Sequence, residues 1–130
     1  MIKLLIGFKR RQGMSIEELR IHCRDVHTPL LFSIPEAEKI RRFVVSYPIP
    51  ATSEAEPAFD AVVEAWFDDL KDMDELMQSE NFLARVDPDH AHFIDVSSAV
   101  RLVTEDVVVV ERQEQSASHD AEPRLVAVRR

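Results

Sequence analysis

Two residues with usable chemistry fall on one predicted helix. Cys23 and His27 are four apart, which makes them neighbours on a single helix face. The apolar residues Ile16, Leu19, Cys23, Val26 and Leu30 recur at helical spacing and define a buried stripe. At about 100° per residue, His27 lies about 60° from the centre of that stripe. It sits at the inner edge near the helix end, where a cavity between helix and sheet can open. An imidazole there suits general acid or base work near neutral pH, and its plainer alternative is a packed helix-end histidine bonded to a carbonyl. Cys23 with His27 is also a possible nucleophile–base pair. Cys23 lies on the buried stripe, however, where a thiol behaves as a small hydrophobe. His27 is therefore the expected catalytic residue. His22, beside the stripe, is expected to be exposed or flanking.

A second group comprises His90 and His92 with Asp89 and Asp95. A His-x-His pair with carboxylates can ligate a metal from a strand, but spacing specifies no third ligand. A polar turn after Pro88 is the simpler reading, so neither a metal nor an organic cofactor is expected. Tyr47, Trp66 and Phe93 are the aromatics expected to hold a flat or apolar small molecule, with His92 beside them. Glu64 should find a partner across a subunit interface or line a cavity. The chain contains no glycine-rich phosphate loop, no Gly-x-Ser-x-Gly and no dinucleotide fingerprint.

These residues must be positioned by a small set of elements. Ile2 to Phe8 reads as a strand closed by Gly13. Ser15-Ile16-Glu17-Glu18 is a capping box that starts the helix, and Pro29 should end its regular part. Ile40 to Ile49 is a β-rich run, followed by a polar loop over 51–57. Phe59 to Phe67 alternates, with Phe59, Ala61, Val63, Ala65 and Phe67 on one face and Asp60, Val62, Glu64 and Trp66 on the other. Leu70, Met73, Leu76 and Met77 give the next helix its apolar face. A further helical piece over 79–86 is broken by Asp87-Pro88-Asp89. Leu102 to Val110 is the expected last strand.

The order β-α-β-β-α-β is that of a ferredoxin-like α+β fold, with helices on one face of an antiparallel sheet. Ile2, Leu4 and Ile6 alternate with Leu5, and Val107 to Val110 are all apolar, so both sheet faces look apolar. A second copy packed sheet to sheet is the economical cover, which predicts a homodimer. Residues 1–112 form the expected domain. Residues 113–130 form a polar extension with a short strand at 125–128.

Composition narrows the partners. The chain has 130 residues, with 16 Lys+Arg against 24 Asp+Glu and a formal net charge of -8. That charge opposes nucleic-acid binding. No apolar run approaches the roughly 20 residues needed to cross a bilayer. The single cysteine excludes an intrachain disulfide and agrees with a cytoplasmic location.

Several of these segments resemble one family. Met14 to Arg20 followed by Cys23-Arg24-Asp25-Val26-His27-Thr28-Pro29-Leu30 looks like the first helix of EthD-type domains, with Thr28 where that pattern carries Gly. Arg42-Phe43-Val44, Phe59 to Phe67, and Phe93-Ile94-Asp95 resemble the family's later segments in the same order. The resemblance implies a dimeric α/β barrel and places the motif histidine at His27, as a general acid/base facing the pocket. It implies a small cofactor-independent enzyme acting on a small cyclic or aromatic carbonyl compound by isomerase, dehydratase or related lyase chemistry. A cofactor-free monooxygenase and a non-catalytic ligand-binding dimer are the alternatives.

Overall fold

The computed structural model describes residues 1–49 and 56–113; the expected strand at 125–128 lies outside them. Strands β1 (Ile2–Phe8), β2 (Arg42–Ser46), β3 (Ala61–Phe67) and β4 (Val100–Glu105) form one antiparallel sheet in the order β2-β3-β1-β4. Helices α1 (Ile16–His22), α2 (Thr28–Leu31) and α3 (Leu70–Met77) accompany them. The protein is thus a ferredoxin-like α+β fold, as its element order predicts.

The register explains which side chains meet. Leu4 pairs with Ala65, Ile6 with Val63 and Phe43 with Ala65, so their side chains share one face. Two packed clusters cover that face. One gathers Leu4, Leu31, Ala65, Phe67, Leu76 and Val86. The other gathers Phe8, Leu19, Cys23, Ala61, Phe93 and Ile94.

The capping box at the start of α1 is present in full. Ser15 Oγ accepts from the Glu18 N–H at 3.0 Å, and Glu18 Oε1 accepts from the Ser15 N–H at 2.8 Å. The helix does not stop at Pro29. It continues through a π-helical turn, Cys23–His27, directly into α2, where Pro29 occupies a first-turn position. Inside this continuous helix its missing N–H removes one backbone bond, next to the wide turn. The wide turn closes with the Thr28 N–H donating to the Cys23 carbonyl, five residues back. This shifts the buried stripe, which runs Leu19, Cys23, His27, Leu31 instead of turning to Val26, now 45% exposed. One wide turn therefore carries His27 from the edge of the stripe onto it.

Other boundaries differ from expectation. The piece after Ser79 is a π-helical turn (Phe82–Val86) that tightens into a 3₁₀ turn (Asp87–His92), so Pro88 narrows the helix rather than ending it. The last strand ends at Glu105. Val107 to Val110 follow outside the sheet, each more than 60% exposed, beyond the last ladder pair, Ile2 with Glu105.

The second sheet face is mixed in character. Leu5, Val44, Val62 and Leu102 lie there among Lys3, Arg42, Glu64 and Trp66. Glu64 is satisfied within its own chain, where Lys3 Nζ lies at 2.9 Å. Of the two expectations for Glu64, a cross-subunit partner is not needed, and it does not line the cavity under the helices.

Candidate active site

A cavity of about 90 Å³ lies between the sheet and the helices, bounded by residues of both core clusters. At about 10–15 Å³ per water-sized body, it admits the heavy atoms of about one small ring. Its wall is almost wholly apolar, with Leu4, Phe8, Phe67, Phe82 and Phe93 among its members. His27, His90, Cys23 and Thr28 bring the polar groups.

His27 is held by a carboxylate 62 positions along the chain. Its Nδ1 lies 2.9 Å from Asp89 Oδ2, with the two side chains 12% and 9% exposed. Asp89 is a hub. It also takes His22 Nε2 at 2.9 and 3.1 Å, and His92 Nδ1 at 3.1 Å. The stacked ring of Phe93 fixes His22 at 4.7 Å and touches His27 at 4.8 Å. Phe93 is itself pinned edge-on against Phe8.

The electrostatics follow from this packing. Burial disfavours the charged form of Asp89, yet the bonds from His22, His27 and His92 outweigh it and hold its carboxyl down at about 2. Asp89 is thus an anion that accepts the Nδ1–H of His27, leaving Nε2 as the free lone pair. Nε2 has no hydrogen-bond partner among the described residues. Burial pushes the His27 pKa below its ordinary value, helped by His90 and His22, while the Asp89 bond opposes the shift. At neutral pH His27 is an uncharged base of fixed tautomer beside an apolar hollow.

The other expected site residues divide. Phe93 lines the cavity with His27. His92 stands at the rim, 68% exposed, and serves Asp89 rather than the hollow. Tyr47 packs at the edge of the Phe8 cluster beside the Cys23 thiol, with the Arg20 guanidinium 4.6 Å from its ring centre. Burial pushes its phenol up to about 12. It is not part of the cavity wall. Trp66 is on the opposite sheet face, between Lys3 and Arg42, with Nε1 donating to Asp106 at 3.3 Å. The strand alternation explains this, since Trp66 has the parity of Glu64 and not of Phe67. Burial raises the Cys23 thiol above its usual value, which keeps it protonated and poorly nucleophilic. Asp95 caps the Val96–Ser98 turn instead of joining the histidines.

The sequence groups Asp89 with His90 and His92 and sets His22 at the flank of the helix; what it does not show is that Asp89 binds both His22 and His27. The 87–90 and 89–92 Asp–His spacings were a visible signal of local pairing, but no local pattern joins Asp89 to a helix more than 60 residues earlier.

The fold and the buried histidine–carboxylate pair together define a small ferredoxin-like domain with a pocket under its helices. The EthD domain model matches residues 11–97, and the chain belongs to that family. Among curated proteins it is 26% identical over 117 residues to Dehydratase aurZ of Gibberella zeae, covering 79% of this chain and 75% of that one. Among solved structures, an EthD-family protein of Bacillus halodurans C-125 superposes with a TM-score of 0.66 at 20% identity, covering 82% of this chain and 99% of that one. A dimeric ferredoxin-like protein of unknown function from Bacteroides fragilis NCTC 9343 gives a TM-score of 0.57 at 17% identity, covering 81% and 95%. At these identities the two structures establish the fold alone.

Proposed function

We propose that the protein is a cofactor-independent dehydratase-type enzyme acting on a small cyclic or aromatic carbonyl compound, with His27 as its general base. The carrying observation is the 2.9 Å contact of His27 Nδ1 with buried Asp89 beside an apolar cavity. A proton on carbon next to a carbonyl is removed by a neutral base held in one tautomer, and exclusion of water strengthens the interaction. The apolar wall suits the ring, and Phe93 meets its face. The curated relative is named a dehydratase, which favours loss of water over isomerisation among the reactions open to such a base.

The working unit in this reading is a homodimer with the mixed sheet faces together. Leu102, 45% exposed, and Leu5 beside it lie on that face. One solved neighbour is described as dimeric.

The test uses 3-hydroxycyclohexanone, a single-ring β-hydroxy ketone whose dehydration gives an enone that absorbs in the ultraviolet. Saturable enone formation by the wild-type chain, lost in His27→Ala, is the expected result. Saturable binding of the ketone with no turnover would instead favour a ligand-binding role.

A further inference from the structure

His90 is the second titratable side chain on the cavity wall, and nothing in the reaction described so far uses it. Its ring centre is 4.6 Å from that of His27. Its Nδ1 lies 3.0 Å from Asp87 Oδ1, so each imidazole has a carboxylate at the same nitrogen and an Nε2 without a hydrogen-bond partner among the described residues. The two settings differ. Asp89 is buried and shared by three histidines, whereas Asp87 is half exposed and serves His90 alone among the described residues. The His27 side chain is 12% exposed and that of His90 28%. Phe82 and Phe93 flank the His90 ring and fix it across from His27.

We propose that His90 is a second catalytic residue, the general acid that protonates the departing hydroxyl while His27 takes the carbon-bound proton. This rests on the dehydratase reading above. Elimination of water requires both transfers. A base must break the C–H bond next to the carbonyl, and the electron pair then forms the new double bond as the C–O bond breaks. The leaving oxygen must acquire a proton to depart as water and not hydroxide. One imidazole cannot hold both protonation states at once, but a pair can. Protonated at both nitrogens for the transfer, His90 gives Nδ1–H to Asp87 and has Nε2–H for the leaving group, while burial keeps the adjacent His27 neutral. After water leaves, His27 carries the extra proton and His90 has lost one, and exchange with solvent resets both.

The two roles separate in heavy water, again with 3-hydroxycyclohexanone. Exchange of the carbon-bound proton for deuterium reports the base, and enone formation reports the acid. Wild type is expected to do both. His27→Ala should lose both, whereas His90→Gln should retain exchange while enone formation falls by ~10²-fold or more. Added imidazole should restore part of the elimination in His90→Ala, whose cavity can admit it. Wild-type enone formation by His90→Gln, or loss of exchange along with elimination in a folded His90→Gln, overturns the assignment of His90. Exchange retained by His27→Ala overturns the base on which the proposal rests. A wild-type chain that neither exchanges nor eliminates overturns the substrate class and the His90 role with it.

Discussion

The two faces of the sheet are built from the same four strands and behave as opposites. Under the helices, Leu4, Ile6, Phe43, Val63, Ala65 and Phe67 form an unbroken apolar floor, and the polar groups above it are few and fixed. On the other face, apolar Leu5, Val44 and Leu102 are interleaved with Lys3, Glu64, Arg42 and Trp66; Lys3 pairs with Glu64 and Asp106, and Arg42 lies over the Trp66 ring. The first arrangement withholds water from a hollow and perturbs the groups that border it. The second pairs its charges within the chain, between the apolar side chains. Alternation in a strand is enough to create both, because adjacent residues point to opposite faces.

The helix-covered face should be most sensitive at His27. Replacement by Ala should lower kcat/KM for 3-hydroxycyclohexanone by ~10²–10⁴-fold, the usual weight of a positioned base, with the circular dichroism spectrum unchanged. Leu19, fully buried beneath α1, is the structural counterpart on the same face. Leu19→Ala should cost about 2–5 kcal/mol in urea unfolding. Asp89→Asn should reduce kcat/KM by ~10–100-fold, since the amide no longer fixes the His27 tautomer as an anion does.

Acid should weaken the helix face before it affects the other. The folded chain holds Asp89 near 2 against an ordinary 3.8 and holds His27 below 6.5, so the unfolded chain binds protons more readily at both. Stability that is full at neutral pH is expected to fall once pH drops below 6.5 and to fall further between about 4 and 2. The urea midpoint at pH 5 should lie below that at pH 7.5. The smallest effect belongs to the mixed face. Leu102→Glu should leave the spectrum of the folded chain intact and change its stability by no more than about 0.5 kcal/mol. In sedimentation it should weaken self-association.

Much of this was legible in the residues, and the exceptions have physical causes. Element order, the Ser15–Glu18 capping box, the apolar parity of β3 and the candidacy of His27 and Phe93 all follow from local spacing. Aromatic character puts Trp66 with the pocket, whereas its own alternation sets it on the face of Glu64. Helical period alone puts Val26 on the buried stripe and His27 at its edge. A π-helical turn reverses their positions, and nothing in Cys23-Arg24-Asp25-Val26-His27 marks its wider hydrogen bonds beyond the proline that follows. The Asp89 hub is a tertiary contact. It forms because the 3₁₀ turn after Pro88 packs against α1, and sequence spacing carries no record of that meeting. The Val107–Val110 run is strongly β-branched yet leaves the sheet, because propensity cannot supply a strand to pair with.

In the proposed reaction His27 is a neutral base locked by Asp89 beside an apolar hollow. Long-range proton–nitrogen NMR of the imidazole rings tests it without any substrate. The expected result is a His27 ring protonated at Nδ1 at neutral pH, titrating below 6.5, with the titration moving lower still in Asp89→Asn because an opposing charge has gone. A His27 protonated at Nε2, or one that titrates above 6.5 and does not respond to Asp89→Asn, would contradict the account.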